Sequence, residues 1–300
     1  MRSELFVPGR DPAIIAKAAA SSADAVCIDL EDSVAPDLKA ASRPNVGRAL
    51  AELDFGSKRR VFRINALDTP YAYRDVIDVV EAAGAYVDAV MIPKVGSPDD
   101  VRFVDRLLTQ IETGRGLEQG GIAIEAQIET ASGMVWLREI AQASARTDVL
   151  IFGPGDYAAS MRMPSSGIGA HDANDDLYPG HRWHAAMHGI VAAARTFGLR
   201  CLDGPYAAYT DKAGFERSCR IARSMGFDGK QCIHPSQLAT VHTVFSPTAD
   251  EVAHAQRIVD ACEQAEADGR GAARLDGAMI DAASARMARV VLDQHRRSSP

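Results

Sequence analysis

The chain has 300 residues, 47% of them hydrophobic and 24% charged, which excludes a disordered tail, a collagen and a small disulfide scaffold. Lys and Arg number 33 against 40 Asp and Glu, a net charge of −7; a general nucleic-acid binder would carry a basic footprint instead. No run approaches the ~18 apolar residues of a membrane span, and Met1–Gly9 holds Glu4 without a long apolar stretch, so neither a membrane partner nor a signal peptide is expected and the location expected is cytoplasmic.

Short apolar runs recur along the chain, each followed by a helical pattern. The runs are Ser3–Val7, Ala25–Leu30, Val61–Ile64, Ala89–Pro93, Ile122–Ile128, Val149–Phe152, Leu199–Leu202 and Lys230–Ile233. Several are nearly continuous in apolar or β-branched residues, as in strands buried on both faces of a parallel sheet. Between them, Pro12 opens an alanine-rich helix over Ala13–Ala20. Ser97-Pro98-Asp99-Asp100 reads as a cap leading into Val101–Glu112. Helical spacing also predicts Ser132–Ala143, His184–Phe197 and Gly214–Met225, the last two stopped by Gly198 and Gly226. Tyr157–Trp183 reads as a long Gly-, Ser-, Pro- and His-rich loop, a kind of segment that is usually functional or mobile.

Eight strand–helix units predict an α/β fold, a (β/α)8 TIM barrel over 1–245, with a doubly wound sheet as the alternative. Residues 246–300 form a C-terminal helical extension. It contains a helix over Ala249–Ala267, a polar linker at Asp268–Gly271, and a short segment and last helix over Ala272–Arg297. The five cysteines, Cys27, Cys201, Cys219, Cys232 and Cys262, make no CxxC pair and read as small core residues rather than a disulfide framework or a zinc site.

Catalytic groups of a barrel stand where its strands end. Here the ends are Asp29-Leu30-Glu31-Asp32, Arg63-Ile64-Asn65, Pro93-Lys94, Glu125 to Thr130, Gly153-Pro154-Gly155-Asp156 and Asp203-Gly204. Glu129 and Asp156 end neighbouring strands, and two carboxylates without thiolate or imidazole suit a hard cation such as Mg²⁺, with Mn²⁺ as the alternative. The competing reading makes both residues caps. Arg63 is aimed at the cavity, where a guanidinium holds a carboxylate or a developing enolate oxygen; an ion pair with Asp29, Glu31 or Asp32 is its structural alternative. Glu31 and Asp32 either anchor metal-bound waters or pair with Arg63. Lys94 balances the same acids, and Glu125, deeper in the barrel, is structural. Gly153 to Ala158 formally fits GxGxxA, but it lies mid-chain and would set Asp156 against a pyrophosphate. Of His171, His181, His184 and His188, the last two share a helix face without the glutamate of HExxH, and no GxSxG is present.

Taken in order, Leu5-Phe6-Val7-Pro8-Gly9, Asp29 to Pro36, Arg63-Ile64-Asn65, Pro93-Lys94-Val95, Gln127-Ile128-Glu129-Thr130 and Gly153-Pro154-Gly155-Asp156 resemble the citrate lyase β-subunit-like family, within the HpcH/HpaI aldolase superfamily. Asn65 to Pro70, Asp203-Gly204-Pro205 and Ile233 to Gln237 resemble its malyl-CoA lyase branch. The resemblance implies a Mg²⁺-dependent carbon–carbon lyase that cleaves a malyl-CoA-like or citramalyl-CoA-like 3-hydroxyacyl-CoA to a 2-oxo acid and an acyl-CoA. By position it implies Glu129 and Asp156 as metal ligands, Arg63 on substrate, and Phe6 and Lys17 on coenzyme A. The basic residue after the Pro-Gly turn is displaced, with Arg10 one place early and Asp11 where it usually stands. The extension resembles a lid whose aspartate, Asp281 or failing that Asp276, serves a neighbouring subunit of a homotrimer or homohexamer; a helix cap is the plain alternative for Asp281. The alternatives in function are a malyl-CoA thioesterase or malate synthase-like enzyme on the same fold, and the β subunit of a citrate lyase complex.

Overall fold

A computed structural model describes residues 1–165, 167–175, 177 and 182–298; His181 lies outside them. The chain divides into two compact units, Arg2–Val241 and His242–Pro300, the latter with Met1. In the first, β1 (Ser3–Pro8), β2 (Ala25–Asp29), β3 (Arg59–Arg63), β4 (Ala89–Ile92), β5 (Ala123–Ile128), β6 (Thr147–Phe152), β7 (Arg200–Asp203) and β8 (Gly229–Cys232) pair in sequence order and close into a barrel. Every pairing is parallel. This is the (β/α)8 TIM barrel, and the doubly wound alternative is excluded.

The covering helices are α1 (Pro12–Ala19), α2 (Lys39–Glu52), α3 (Ala72–Ala83), α4 (Pro98–Arg115), α5 (Ala131–Val135), α6 (Leu137–Ala141), α7 (Pro154–Ser160), α8 (His184–Phe197) and α9 (Lys212–Met225). Their ends follow local chemistry. Asp11 caps α1 by accepting the amides of Ala13 and Ile14, and Asp100 accepts those of Gly96 and Ser97 at the start of α4. Gly116, Gly198 and Gly226 end α4, α8 and α9 in the left-handed region. The helix expected over Ser132–Ala143 is instead α5 and α6, broken at Trp136, whose ψ of 15° lies outside the helical range. The long loop expected from Tyr157 is partly taken up by α7. Its far end is anchored too: Arg182 pairs with Asp172 and Asp175, and its guanidinium lies 4.8 Å from the Trp183 ring. Trp183 in turn packs edge-on against Phe152.

The barrel interior is less apolar than the strand sequences suggest. Glu4, Glu125 and Gln231 are fully buried there. Glu125 pairs with Arg59, which also reaches Asp148. Burial and then the charge of Glu125 push the Glu4 carboxyl well above the carboxylate range. Cys27, Cys201, Cys219 and Cys232 are buried free thiols and Cys262 is a half-buried one.

The second unit contains α11 (Ala249–Ala267), β9 (Ala272–Leu275), β10 (Ala278–Asp281) and α12 (Ala282–Ser298), reached through α10 (Leu238–Phe245). Ala255 and Val259 of α11 and Ala288 of α12 form its core, flanked by Ile258, Val291 and Leu292. The strands form an antiparallel hairpin turned by Asp276 and Gly277, at φ of 50° and 85°, the signature of a two-residue type I′ turn. No helix among the described residues is long and apolar enough to cross a membrane.

Candidate active site

Neighbouring strands bring their C-terminal residues into register, and the acids and bases of the rim meet for that reason. Asp29 on β2 is the register partner of Arg63 on β3. The two form a forked pair, Arg63 Nε to Asp29 Oδ1 at 2.7 Å and Nη2 to Oδ2 at 2.9 Å, the planar geometry that favours arginine over lysine. Arg63 Nη1 lies 3.2 Å from Glu31, and the ring of Phe6 on β1 lies 5.1 Å from the guanidinium carbon. Asp29 also accepts the amides of Glu31 and Ser33. Burial opposes its charge, yet Arg63 and these donors hold its pKa down to about 2. Lys39 of α2 donates to the carbonyls of Leu30 and Glu31. The Asp29–Ser33 turn is therefore held from both its side chain and its backbone.

Glu129 follows β5 and is 2% exposed. Its Oε1 accepts the backbone amide of Lys94 at 2.8 Å and its Oε2 accepts the Gln127 side chain at 2.7 Å. Burial is the main cause that raises its pKa to about 8; the charge of Arg63 opposes that rise and the charge of Asp156 adds to it. A Cβ on Gly153 would fall 2.1 Å from Glu129 Oε2, so only glycine leaves the carboxylate its place. Asp156, in the first turn of α7, is more open, with 43% of its side chain exposed.

Lys94 joins these groups. Its Nζ contacts Glu31 and lies 3.3 Å from Asp32 and 3.8 Å from Asp156. Burial opposes its charge, but the bond to Glu31 and the three carboxylates raise its pKa above the ordinary lysine value. Its backbone sits at φ 51°, a conformation that costs a side-chain-bearing residue about 1–2 kcal/mol.

Arg63, Glu129, Glu31, Asp32, Lys94, Asp156 and Phe6 thus form one connected cluster at the C-terminal rim. Arg10, in the turn after β1, and Lys17, on α1, are exposed and join it through no contact among the described residues. Asp11, which stands where a basic residue was expected, serves as the cap of α1. Asp281 belongs to the second unit and there caps α12, accepting the amides of Ala283 and Ser284 at 2.9 and 3.1 Å. Those bonds hold its carboxyl below the usual range. Asp276 pairs with Arg257 in the same unit.

The ion pair of Arg63 with Asp29 and Glu31, the structural alternative in the sequence, is present. Two contributors were missed in sequence: Gln127 as a donor to Glu129, and Gly153. Gln127 was signalled by its place at a strand end. Gly153 had no signal beyond the GxGxxA look-alike.

The donor set fits a hard divalent cation. All donors are oxygens, and each Glu129 oxygen accepts one N–H and keeps a lone pair. The buried carboxylate is costly to ionise without a compensating cation. Among the described residues no group of three or more His, Cys, Asp or Glu is arranged to hold a metal, at this rim or elsewhere, so Glu129 and Asp156 would leave the other positions to water and substrate oxygens.

Known proteins resemble this chain along most of its length. Residues 2–235 match the HpcH/HpaI aldolase/citrate lyase family. An L-malyl-CoA/β-methylmalyl-CoA lyase of Cereibacter sphaeroides is 44% identical over 98% of this chain and 94% of its own. A malyl-CoA/β-methylmalyl-CoA/citramalyl-CoA lyase of Chloroflexus aurantiacus is 35% identical over 92% of this chain and 82% of its own. The crystal structure of CitE from Mycobacterium tuberculosis in complex with magnesium, acetoacetate and coenzyme A superposes with a TM-score of 0.77 at 30% identity, covering 98% of both chains. A barrel closed in this order, with this rim and these matches, belongs to the HpcH/HpaI aldolase/citrate lyase family.

Proposed function

We propose that this protein is a Mg²⁺-dependent carbon–carbon lyase that cleaves a malyl-CoA-like or citramalyl-CoA-like 3-hydroxyacyl-CoA to a 2-oxo acid and an acyl-CoA. The observation that carries the reading is Glu129, buried at a strand end beside Asp156 with two N–H donors fixing its oxygens. These two carboxylates hold the metal. When bound, the metal supplies Lewis-acid polarisation of the substrate's carboxylate and adjacent hydroxyl oxygens.

The chain's own groups do the rest. Lys94 N–H and Gln127 orient Glu129. Arg63, fixed by Asp29 and Glu31, retains N–H donors for the oxyanion that develops as the hydroxyl passes its proton to solvent water. The bond between the hydroxyl-bearing carbon and the thioester α-carbon breaks. Its electron pair passes to the thioester as an enolate, and the α-carbon takes up a proton. Asp281, contributed by a neighbouring subunit of a homotrimer or homohexamer, relays that proton between solvent and the α-carbon, giving it up in cleavage and removing it in condensation. Phe6, Arg10 and Lys17 serve coenzyme A, the two basic residues through its phosphates. Residues 1–245 act as the catalytic barrel and 246–300 as the lid, in a cytoplasmic enzyme.

The test offers malyl-CoA, methylmalyl-CoA, citramalyl-CoA and 3-hydroxy-3-methylglutaryl-CoA with and without Mg²⁺, following oxo acid and free thiol. Mg²⁺-dependent oxo acid with intact acyl-CoA is expected. Free thiol without oxo acid would establish a thioesterase instead, and silence on every thioester would favour a citrate lyase complex subunit.

A further inference from the structure

Five carboxylates, those of Asp29, Glu31, Asp32, Glu129 and Asp156, gather at the rim around two cations, Arg63 and Lys94. The two cations are placed differently. Arg63 is turned toward Asp29 and Glu31. Lys94 is the only cation within 4 Å of Asp156 among the described residues, and it spans from there to Glu31 and Asp32.

Its backbone explains how one residue does this. At φ 51° the amide points at Glu129 while the side chain crosses to the other acids. Glycine or asparagine would hold that backbone more easily. A lysine persisting in a strained conformation marks a position where the ammonium is used.

We infer that the Lys94 ammonium is an internal competitor of the metal: it balances the rim acids while the site is empty and weakens the site's hold on the cation. The inference rests on the proposed metal function of Glu129 and Asp156. A divalent ion bound at ~2.1 Å from the Asp156 oxygen that Lys94 approaches to 3.8 Å would lie within about 6 Å of the ammonium. Charges of +2 and +1 at that distance repel by enough to weaken binding about tenfold, even with the screening of bulk water.

The test is Mn²⁺ titration of the metal-stripped full chain, followed by electron paramagnetic resonance, for the wild type, K94Q, K94N and K94R. Removal of the charge is expected to tighten Mn²⁺ binding about tenfold in K94Q. K94N, whose side chain tolerates the left-handed backbone, does the same should K94Q fold poorly. K94R keeps the wild-type affinity. Unchanged or weaker binding in the folded uncharged variant overturns the inference, because a merely structural lysine would weaken the site when lost. E129Q and D156N report on the underlying reading separately: both must abolish Mn²⁺ binding, and wild-type affinity in either would refute the metal site itself.

Discussion

Glu129 depends on a residue that makes no hydrogen bond to it. Gly153 lies against its carboxylate because Ile128, just before Glu129, pairs with Phe152, just before Gly153; the Gly153 amide donates to the Ile128 carbonyl. A methyl group there would meet Oε2 at 2.1 Å and the Glu129 Cβ at 2.5 Å. G153A is therefore expected to displace the carboxylate, weaken Mn²⁺ binding at least ~10-fold and cost about 1–3 kcal/mol of stability as overpacking. Metal titration and chemical denaturation on the same samples check both effects; wild-type affinity in G153A would show that Glu129 does not need its present seat. The same register explains why Glu129 and Asp156 were legible as a pair while Gly153 was not. Their carboxyl chemistry shows in the chain itself, but the need for an absent side chain appears only when two strands are laid side by side.

Among the elements, the strands were legible because a parallel sheet covered on both faces asks for continuous apolar runs, and β4 meets that demand throughout while β2 meets it up to its last residue, Asp29. The helix α2 was not. It holds Pro44, and its buried face mixes Lys39, Ser42 and Arg43 with Val46, Ala49 and Leu50, so its periodicity is hidden by polar residues with specific partners. Asp276-Gly277 was a hairpin signal left unused. The buried charge of α2 has a structural purpose. Asp75 of α3 is fully buried and accepts Arg43 Nε at 2.7 Å, the Asn65 amide at 2.9 Å and the Asn65 side chain at 2.6 Å. It thereby ties α2 and α3 to the segment that leaves β3 just after Arg63. D75A orphans the Asn65 amide and leaves Arg43 only Asp78 and the Tyr71 carbonyl, and the expected loss is about 2–3 kcal/mol, read as a lower denaturation midpoint with an unchanged denaturant slope. A loss under about 1 kcal/mol, the scale of an exposed pair, would mean that water reaches Arg43 freely.

At the scale of the whole molecule, the rim couples metal, proton and fold. An acid whose pKa is raised on folding contributes stability that is complete below the unfolded carboxylate value of ~4.3 and is lost as pH climbs through the folded one. For Glu129 that loss is spread up to pH about 8, so the metal-free protein is destabilised by this group as the medium becomes neutral. The metal binds only the ionised carboxylate and reverses the effect. Below pH 8 each unit of acidification should weaken metal binding about tenfold, as one proton must leave for each ion that enters. The rise in melting temperature caused by Mg²⁺ should therefore grow from about pH 5 to about pH 8 and level off above it. Thermal melts of the wild type across that range, with and without Mg²⁺, test this directly. E129Q, which lacks the metal-binding carboxylate, should show no Mg²⁺-induced rise at any pH in that range. A metal-induced shift of the same size at pH 5 and pH 8 in the wild type would mean that Glu129 is ionised throughout, and that Lys94 and Arg63 already compensate the buried charge without a metal.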